Sequence, residues 1–230
     1  MREPLILNYY ALLRSSHESP SVESVQVTPD GIDRFVRAVE ARYNQASLEK
    51  LLHSSHAEAR QAAVIALGRT ATISVNRLLA RALHDADSLV RELAVEALWS
   101  LWFQADAPEH NAELRRLSVL ERETGEDPLP GLCELAKQAP RFAEVYNQRA
   151  IVHFRRGDYS RSATDCDRTL RLNPVHFGAA SGMGQCCMKL RRYRAALRSF
   201  RRACRINPNL QGVREAIESL EKMLGEEGKR

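Results

Sequence analysis

Apolar residues recur at three- and four-residue spacing over most of the chain, which predicts α-helices rather than strands. In the segment AEVYNQRAIVHFRR, the side chains of Tyr146, Ala150 and Phe154 fall along one side of such a helix. Gly157 follows as a helix stop signal. The next segment, YSRSATDCDRTLRL, predicts a second helix that ends before Pro174, because proline cannot continue the helical hydrogen-bond ladder.

The same two-helix pattern returns 34 residues later, where the segment RACRINP (202–208) aligns with RTLRLNP (168–174). A fixed step of this size indicates an array of repeats rather than one irregular core. Small residues recur at the same step, and we expect them to lie where two helices approach closely. The small residues align as Ala150 with Gly184 and Ser162 with Ala196. Other residues that align at this step are Tyr159 with Tyr193, Arg168 with Arg202 and Pro174 with Pro208.

This pattern resembles the tetratricopeptide repeat (TPR), a helix-turn-helix unit with tyrosine, alanine and a closing proline at these intervals. The resemblance covers about residues 140–210, and the helix predicted over 210–224 is similar to the solvating end helix of such arrays. Arg149 and His153 depart from the pattern, since the family has an apolar residue and an aromatic there. Pro140 lies one step before Pro174, so that GLCELAKQA is expected to act as a half repeat.

The TPR resemblance implies that the first helix of each unit lines a protein-binding groove. We therefore expect an exposed binding surface on the two first helices. Its residues by this resemblance are Glu144, Asn147, Ile151, Arg155, Ser181, Gln185, Met188 and Lys189.

A second repeat lies upstream, where HSSHAEARQAAVIALG (53–68) and HDADSLVRELAVEALW (84–99) align at a step of 31. Each unit predicts a helix, a polar turn and a second helix. The pattern resembles HEAT-type repeats, with Asp85 and Asp87 in the turn before Arg91. In addition, the apolar positions of residues 32–43 predict an amphipathic helix, and those around Leu114 predict another. The segment TGEDPLPG is read as a break between modules.

Five segments follow from these patterns. We predict an N-terminal extension and loop over 1–31, HEAT-like repeats over 32–105, bridging helices and a half repeat over 106–139, a TPR domain over 140–224 and a polar tail over 225–230. The predicted fold is all-α: an α-solenoid of helix pairs in which a HEAT-like array is followed by two TPR units and an end helix.

Charge divides the chain unequally. Residues 1–140 carry 15 Lys and Arg against 20 Asp and Glu, whereas residues 141–230 carry 19 against 9. Eight of these cations lie between Lys189 and Arg205 with no acid among them. The simplest interpretation is a solvated outer face, and the alternatives are a surface for an acidic protein, nucleic acid or anionic lipid. The predicted basic face consists of Arg191, Arg194, Arg198, Arg201, Arg202 and Arg205.

The sequence contains few candidates for catalytic, metal-binding or cofactor-binding residues. The five cysteines show no CxxC spacing, so we expect reduced core thiols and no metal site. Cys166 lies between Asp165 and Asp167, and neighbouring negative charge raises the pKa of a thiol. The Gly-x-Gly of SGMG follows no strand, and His53 with His56 lacks a third ligand nearby. We therefore expect no catalytic residues and no cofactor.

The function expected from this sequence is non-enzymatic protein binding, as a cytoplasmic scaffold or adaptor that holds a protein or peptide partner in the TPR groove. One alternative is a binder of acidic protein, nucleic acid or lipid through residues 189–205. A second is a lyase-type enzyme, since HEAT-like repeats also occur in chromophore-lyase-type proteins. No signal peptide or membrane span is expected, because no stretch approaches about 18 apolar residues.

Overall fold

The computed structural model describes residues 6–14 and 29–227, and all regular structure in these residues is helical. These described residues form two compact units that are divided between Leu101 and Trp102. The prediction of an all-α fold built from helix pairs is confirmed. The described residues include no helix that is long and apolar enough to cross a membrane.

The first unit contains six helices in its described residues, with a short 3₁₀ turn at Ile73–Val75 before the fifth. Their bounds are α1 (Ile6–Arg14), α2 (Pro29–Glu40), α3 (Gln45–Leu51), α4 (Ala57–Thr70), α5 (Asn76–Ala82) and α6 (Ser88–Trp102), the last residue of which belongs to the second unit. The pairs α3–α4 and α5–α6 begin 31 residues apart, as the repeat spacing predicts.

One ion pair joins the two repeats of the first unit. Arg60 on α4 donates two hydrogen bonds to Asp85, from Nε to Oδ2 and from Nη2 to Oδ1, both at 2.8 Å. Asp85 lies in the turn between α5 and α6, where Asp87 accepts from the backbone N–H of Val90 at 2.9 Å. The acidic turn therefore holds the start of α6 and the preceding repeat together. The resemblance to HEAT repeats stays a prediction.

The segment predicted as an N-terminal extension contains a packed helix. Ile6, Tyr10 and Leu13 on α1 are buried, and the Tyr10 hydroxyl donates to Gln61 Oε1 at 2.7 Å. The sequence analysis predicted an extension and loop over 1–31 and did not identify this helix, which contacts α2 and α4. Most of the predicted loop, residues 15–28, lies outside the described residues.

The second unit contains seven further helices in its described residues. Their bounds are α7 (Pro108–Thr124), α8 (Leu129–Gln138), α9 (Ala143–Arg155), α10 (Tyr159–Leu172), α11 (Phe177–Lys189), α12 (Tyr193–Ile206) and α13 (Gln211–Glu227). The bounds of α9 and α10 recur in α11 and α12 at the 34-residue step. The end helix is longer than predicted, since α13 includes residues 225–227 of the expected polar tail; residues 228–230 are outside the described part.

The segment TGEDPLPG is a turn inside the second unit. Leu117 on α7, Leu132 on α8 and Val145 on α9 share one buried core, and Gly125 ends α7 with a positive φ of 75°. The prediction of a break between modules at this segment is wrong. Glycine and proline here stop one helix and start the next, and the apolar faces on both sides then pack together.

Candidate functional site

The expected binding surface has its best-formed part in a cleft between α7, α8 and α9. The cleft is open to solvent and has a cavity volume of about 80 Å³. Leu117, Leu132 and Val152 supply its apolar floor, and all three side chains are buried. Its rim is formed by Ser118, Glu121, Gln148, Ile151 and Arg155. We call this feature the α7–α9 cleft.

Two of the predicted groove residues, Ile151 and Arg155, line this cleft. Ile151 is half-buried, and the Arg155 side chain is 63% exposed. Arg155 Nη1 donates to Glu121 Oε2 at 3.2 Å, which joins the ends of α9 and α7. An apolar floor bordered by a few polar groups is the usual composition of a ligand-binding cleft.

Glu144 and Asn147 do not belong to an exposed surface, and the prediction that they are exposed is wrong. Glu144 is 1% exposed and Asn147 is 4% exposed. Glu144 Oε1 accepts from Asn147 Nδ2 at 2.9 Å and from Gln148 Nε2 at 2.7 Å. The carboxylate is therefore occupied by the chain itself.

His176 completes this buried cluster. Its Nδ1 accepts from the backbone N–H of Ala179 at 3.0 Å, so that Nε2 carries the proton and donates to Glu144 Oε2 at 2.8 Å. The Trp102 ring stacks on the imidazole with centroids 4.0 Å apart and planes 21° apart. His176 thus holds the Glu144 carboxylate inside the fold, at a position that was expected to face a partner.

The remaining predicted groove residues lie on α11. Gln185 and Lys189 are exposed, and Ser181 is half-buried. Met188 packs partly against the core formed by Cys187, Phe200 and their neighbours, so that only part of its side chain is open. Lys189 occupies the same position of its repeat as Arg155, and both are cations at the end of the first helix.

The contacts of Arg149 and His153 in the fold explain why these two residues depart from the repeat pattern. Arg149 donates from Nε and Nη2 to the two oxygens of Asp165, at 2.8 and 2.7 Å. The hydrogen bonds to Asp165 raise the pKa of Arg149, which keeps the guanidinium charged. Burial lowers the pKa of His153, whose Nε2 lies 4.0 Å from Asp165 Oδ2. The sequence analysis identified Arg149 and His153 as departures from the repeat pattern. It did not identify Asp165 as the residue that pairs with Arg149.

The predicted basic face divides into two groups. Arg191, Arg194, Arg198, Arg201 and Arg205 are exposed, whereas Arg202 is half-buried. Arg202 Nη2 donates to the carbonyl of Pro174 at 3.3 Å, and one repeat earlier Arg168 Nη2 donates to the carbonyl of Pro140 at 3.1 Å. Arg202 therefore ties one repeat to the turn before it, and its inclusion in a free basic face is corrected.

The cysteines lie in or near the core. Cys166, Cys186 and Cys187 are buried, and Cys186 Sγ donates to Ser162 Oγ at 3.1 Å. The neighbouring thiol of Cys186, together with burial, raises the pKa of Cys166, which agrees in direction with the expectation from sequence. In residues 6–14 and 29–227, no group of three or more His, Cys, Asp or Glu side chains is arranged to hold a metal ion.

Comparison with known proteins places a repeat family within the second unit. The family described as Tetratricopeptide repeat matches residues 178–210. A TPR repeat-containing protein of Rhizobium etli is 31% identical over 108 residues, which is 46% of this chain and 53% of that protein. The human Protein SGT1 homolog is 38% identical over 78 residues, covering 33% of this chain and 21% of that protein. The chain therefore spans about half the length of the bacterial relative and about a fifth of the human one.

Two solved structures are similar to part of this chain. The first TPR of Spaghetti, bound to an HSP90 peptide, has a TM-score of 0.49 at 16% identity and covers 52% of this chain and 96% of that structure. The Sgt2 TPR domain from Aspergillus fumigatus has a TM-score of 0.49 at 16% identity, with 55% and 85% covered.

The repeat family and the helix bounds agree. The matched residues begin within the first turn of α11, contain α12 with its two flanking turns and end just before α13. The chain therefore contains a tetratricopeptide repeat at residues 178–210.

Proposed function

We propose that this protein is a non-enzymatic adaptor that binds an extended segment of a partner protein in the α7–α9 cleft. The observation that carries the proposal is the cleft itself, whose apolar floor is bordered by Ile151 and by the polar side chains of Glu121, Gln148 and Arg155. An apolar side chain of the partner would rest on Leu117, Leu132 and Val152. Complete burial of an apolar side chain is worth about 1.5–3 kcal/mol, and this open cleft supplies part of that amount.

The rim can exchange its own contacts for those of a partner at small cost. The Arg155–Glu121 pair is largely exposed, with side chains 63% and 48% accessible. Exposed ion pairs contribute about 0–1 kcal/mol to stability. Both groups are therefore available to hydrogen-bond the backbone or the polar side chains that flank an apolar anchor.

Gln185 and Lys189 extend the proposed surface along α11, where both are exposed. Glu144 and Asn147 make no direct contact with the partner in this proposal. They stabilise α9 instead, because their hydrogen bonds close the cluster around His176.

The proposal is tested by selecting peptides on the wild-type protein and measuring their affinity for matched variants. Ile151→Glu places a charge beside the apolar floor and is expected to weaken a selected peptide at least about tenfold, since an unpaired charge in an apolar contact is costly. Ile73→Glu is the control, because Ile73 is 43% exposed and lies on the other unit. Circular dichroism of both variants establishes that they are folded.

A second pair of changes tests the extension. Gln185→Ala combined with Lys189→Ala is expected to weaken the same peptide by a smaller factor. The enriched peptides should share one apolar anchor residue, and their binding should change little with salt. Peptides that bind wild type and Ile151→Glu equally well would show that the partner does not enter the α7–α9 cleft.

A further inference from the structure

A line of arginines on α12 has no role in the cleft, and only one of its members bonds to another helix. Arg194, Arg198, Arg201 and Arg205 recur at spacings of four, three and four residues, and all four are exposed. At 3.6 residues per turn they fall within about 60° of arc and extend about 16 Å along the helix. Ala196, Phe200 and Ala203, which are buried, lie on the opposite side. We call these four residues the arginine stripe.

The stripe is poorly neutralised by the chain. Arg201 Nη2 donates to Glu221 Oε1 on α13 at 2.7 Å, and both side chains are about half-exposed. In the described part of the chain, no carboxylate pairs with Arg194, Arg198 or Arg205. Like charges at these spacings destabilise a helix. Arg194 also lies in the first turn of α12, where the helix dipole disfavours positive charge.

The neighbouring repeat shows that the fold does not need this stripe. The equivalent positions on α10 are Ser160, Thr164, Asp167 and Arg171. Arg171 Nη2 lies 2.6 Å from Asp167 Oδ2, so that this face of α10 is neutral. The stripe is therefore a property of α12 that the repeat geometry does not impose.

We infer that the arginine stripe binds an acidic helix of a partner protein, with carboxylates at the same spacing of four, three and four residues. Guanidinium groups bind carboxylates through two parallel hydrogen bonds, which makes arginine suited to a planar acidic partner. A helix that presents its carboxylates along one side places them about as far apart as the arginines.

The surroundings of the stripe disfavour nucleic acid and membranes. Tyr193 and Phe200 pack into the core beside α12, so that neither offers an aromatic face for base stacking. α12 packs against α11 and α13 on its buried side. No large apolar side chain of the described residues is exposed beside the stripe to enter a lipid layer, since Ile73 of the first unit is the exposed example.

The probe is a labelled synthetic helical peptide with four glutamates at the stripe spacing, measured by fluorescence anisotropy at low salt. Its comparison peptide has the same composition with the glutamates distributed around the helix. The wild-type protein is expected to bind the first peptide about fivefold to tenfold more tightly than the second, because a surface charge pair contributes a few-fold in affinity and several act together.

The variant Arg194→Ser with Arg198→Thr introduces the residues that α10 carries at these positions, which preserves a sequence compatible with the fold. It is expected to weaken the glutamate peptide about tenfold and to reduce the dependence of binding on salt. The control is Arg77→Ser with Arg81→Thr on α5, which removes two exposed arginines at the same spacing and the same net charge. This control should bind the peptide as wild type does.

Three outcomes would overturn the inference. Equal binding of the two peptides would show that bulk charge, and not the stripe, attracts them. Equal loss in both double variants would lead to the same conclusion. Tighter, stripe-dependent binding of duplex DNA or of phosphatidylserine vesicles than of the glutamate peptide would assign the stripe to nucleic acid or to a membrane.

Discussion

The helix pairs α9–α10 and α11–α12 have the same backbone and very different interiors. Both pairs close their turn with the same hydrogen bond, from Asp158 N–H to His153 O at 2.9 Å and from Arg192 N–H to Cys187 O at 2.8 Å. The contacts of Arg168 and Arg202 with proline carbonyls also recur at the same step. The geometry of the repeat therefore depends on its turns and on one inter-repeat contact more than on a particular core.

The first pair has charged residues at positions where the second has apolar or small ones. Arg149 and Asp165 correspond to Met183 and Ser199, and the buried Glu144 corresponds to Gly178. No buried side-chain nitrogen or oxygen in the described residues lacks a hydrogen-bond partner, so that the polar interior of the first pair is satisfied. The comparison indicates that a repeat unit can hold ionised side chains in its interior when each has a hydrogen-bond partner.

The two pairs also divide the space between their helices differently. A Cβ atom at Gly184 would lie 2.4 Å from the Phe200 ring, which explains why this position is glycine. The first pair has Ala150 and Cys166 at the equivalent positions. A larger residue on one helix is thus matched by a smaller one on the other.

The largest expected effect comes from breaking the partly buried ion pair between Arg149 and Asp165. Asp165→Ser leaves Arg149 without its partner and is expected to lower the free energy of unfolding by about 3–5 kcal/mol. Adding Arg149→Met gives the first pair the residues of the second and should recover most of the loss, because the uncompensated charge is removed. Urea denaturation at neutral pH measures both. A double variant as unstable as the single one would show that the polar interior is needed for reasons beyond charge pairing.

Overpacking the second pair is the next largest effect. Gly184→Ala is expected to cost about 1–3 kcal/mol, since the new methyl group meets the Phe200 ring. In a Phe200→Cys background the same change should cost much less, because the side chain there would resemble Cys166. Thermal denaturation of the four proteins gives the coupling between the two positions. Additive costs would contradict the proposed matching of volumes.

A smaller effect concerns the start of α12. Asp158 caps α10 by accepting from the backbone N–H of Arg161 at 3.2 Å, whereas Arg192 provides no side-chain cap for α12. Arg192→Asp is expected to stabilise the protein by about 1 kcal/mol, because it supplies a cap and replaces a cation at the positive end of the helix. The reciprocal variant, Asp158→Arg, should destabilise by a similar amount, and an unchanged melting temperature in both would refute this reading of the turn.

The smallest expected effect concerns Arg191, the residue before the N-cap position of α12. Gly157 has a φ of 79°, and Arg191 adopts a φ of 57° at the equivalent position. Arg191→Gly is expected to stabilise by about 0.5 kcal/mol, since relief of the left-handed strain is partly offset by the greater freedom of glycine in the unfolded chain. Chemical denaturation detects the change, and Gly157→Arg is the matched destabilising control. Destabilisation by Arg191→Gly would indicate that a contact of the arginine side chain contributes more to stability than relief of the backbone strain does.

Much of the fold and part of the site followed from local sequence. The apolar spacing, Gly157 and the two Asn-Pro phrases predicted the helix pairs of the second unit and their step, and the TPR resemblance is confirmed for residues 178–210. Ile151 and Arg155 were expected at an open surface, and both line the α7–α9 cleft. These features depend on which residues lie within one or two helical turns of each other, and that information is present in a short segment.

Tertiary structure decided which polar residues are available to a partner. Glu144 and Asn147 occupy positions of the expected groove, but both are buried, and Glu144 is hydrogen-bonded to His176 from the next repeat. Arg149 looked like a departure from the repeat until Asp165, on the following helix, supplied its partner. Helical periodicity is set by local backbone geometry, whereas the burial and pairing of a polar group depend on side chains that only the folded chain brings together.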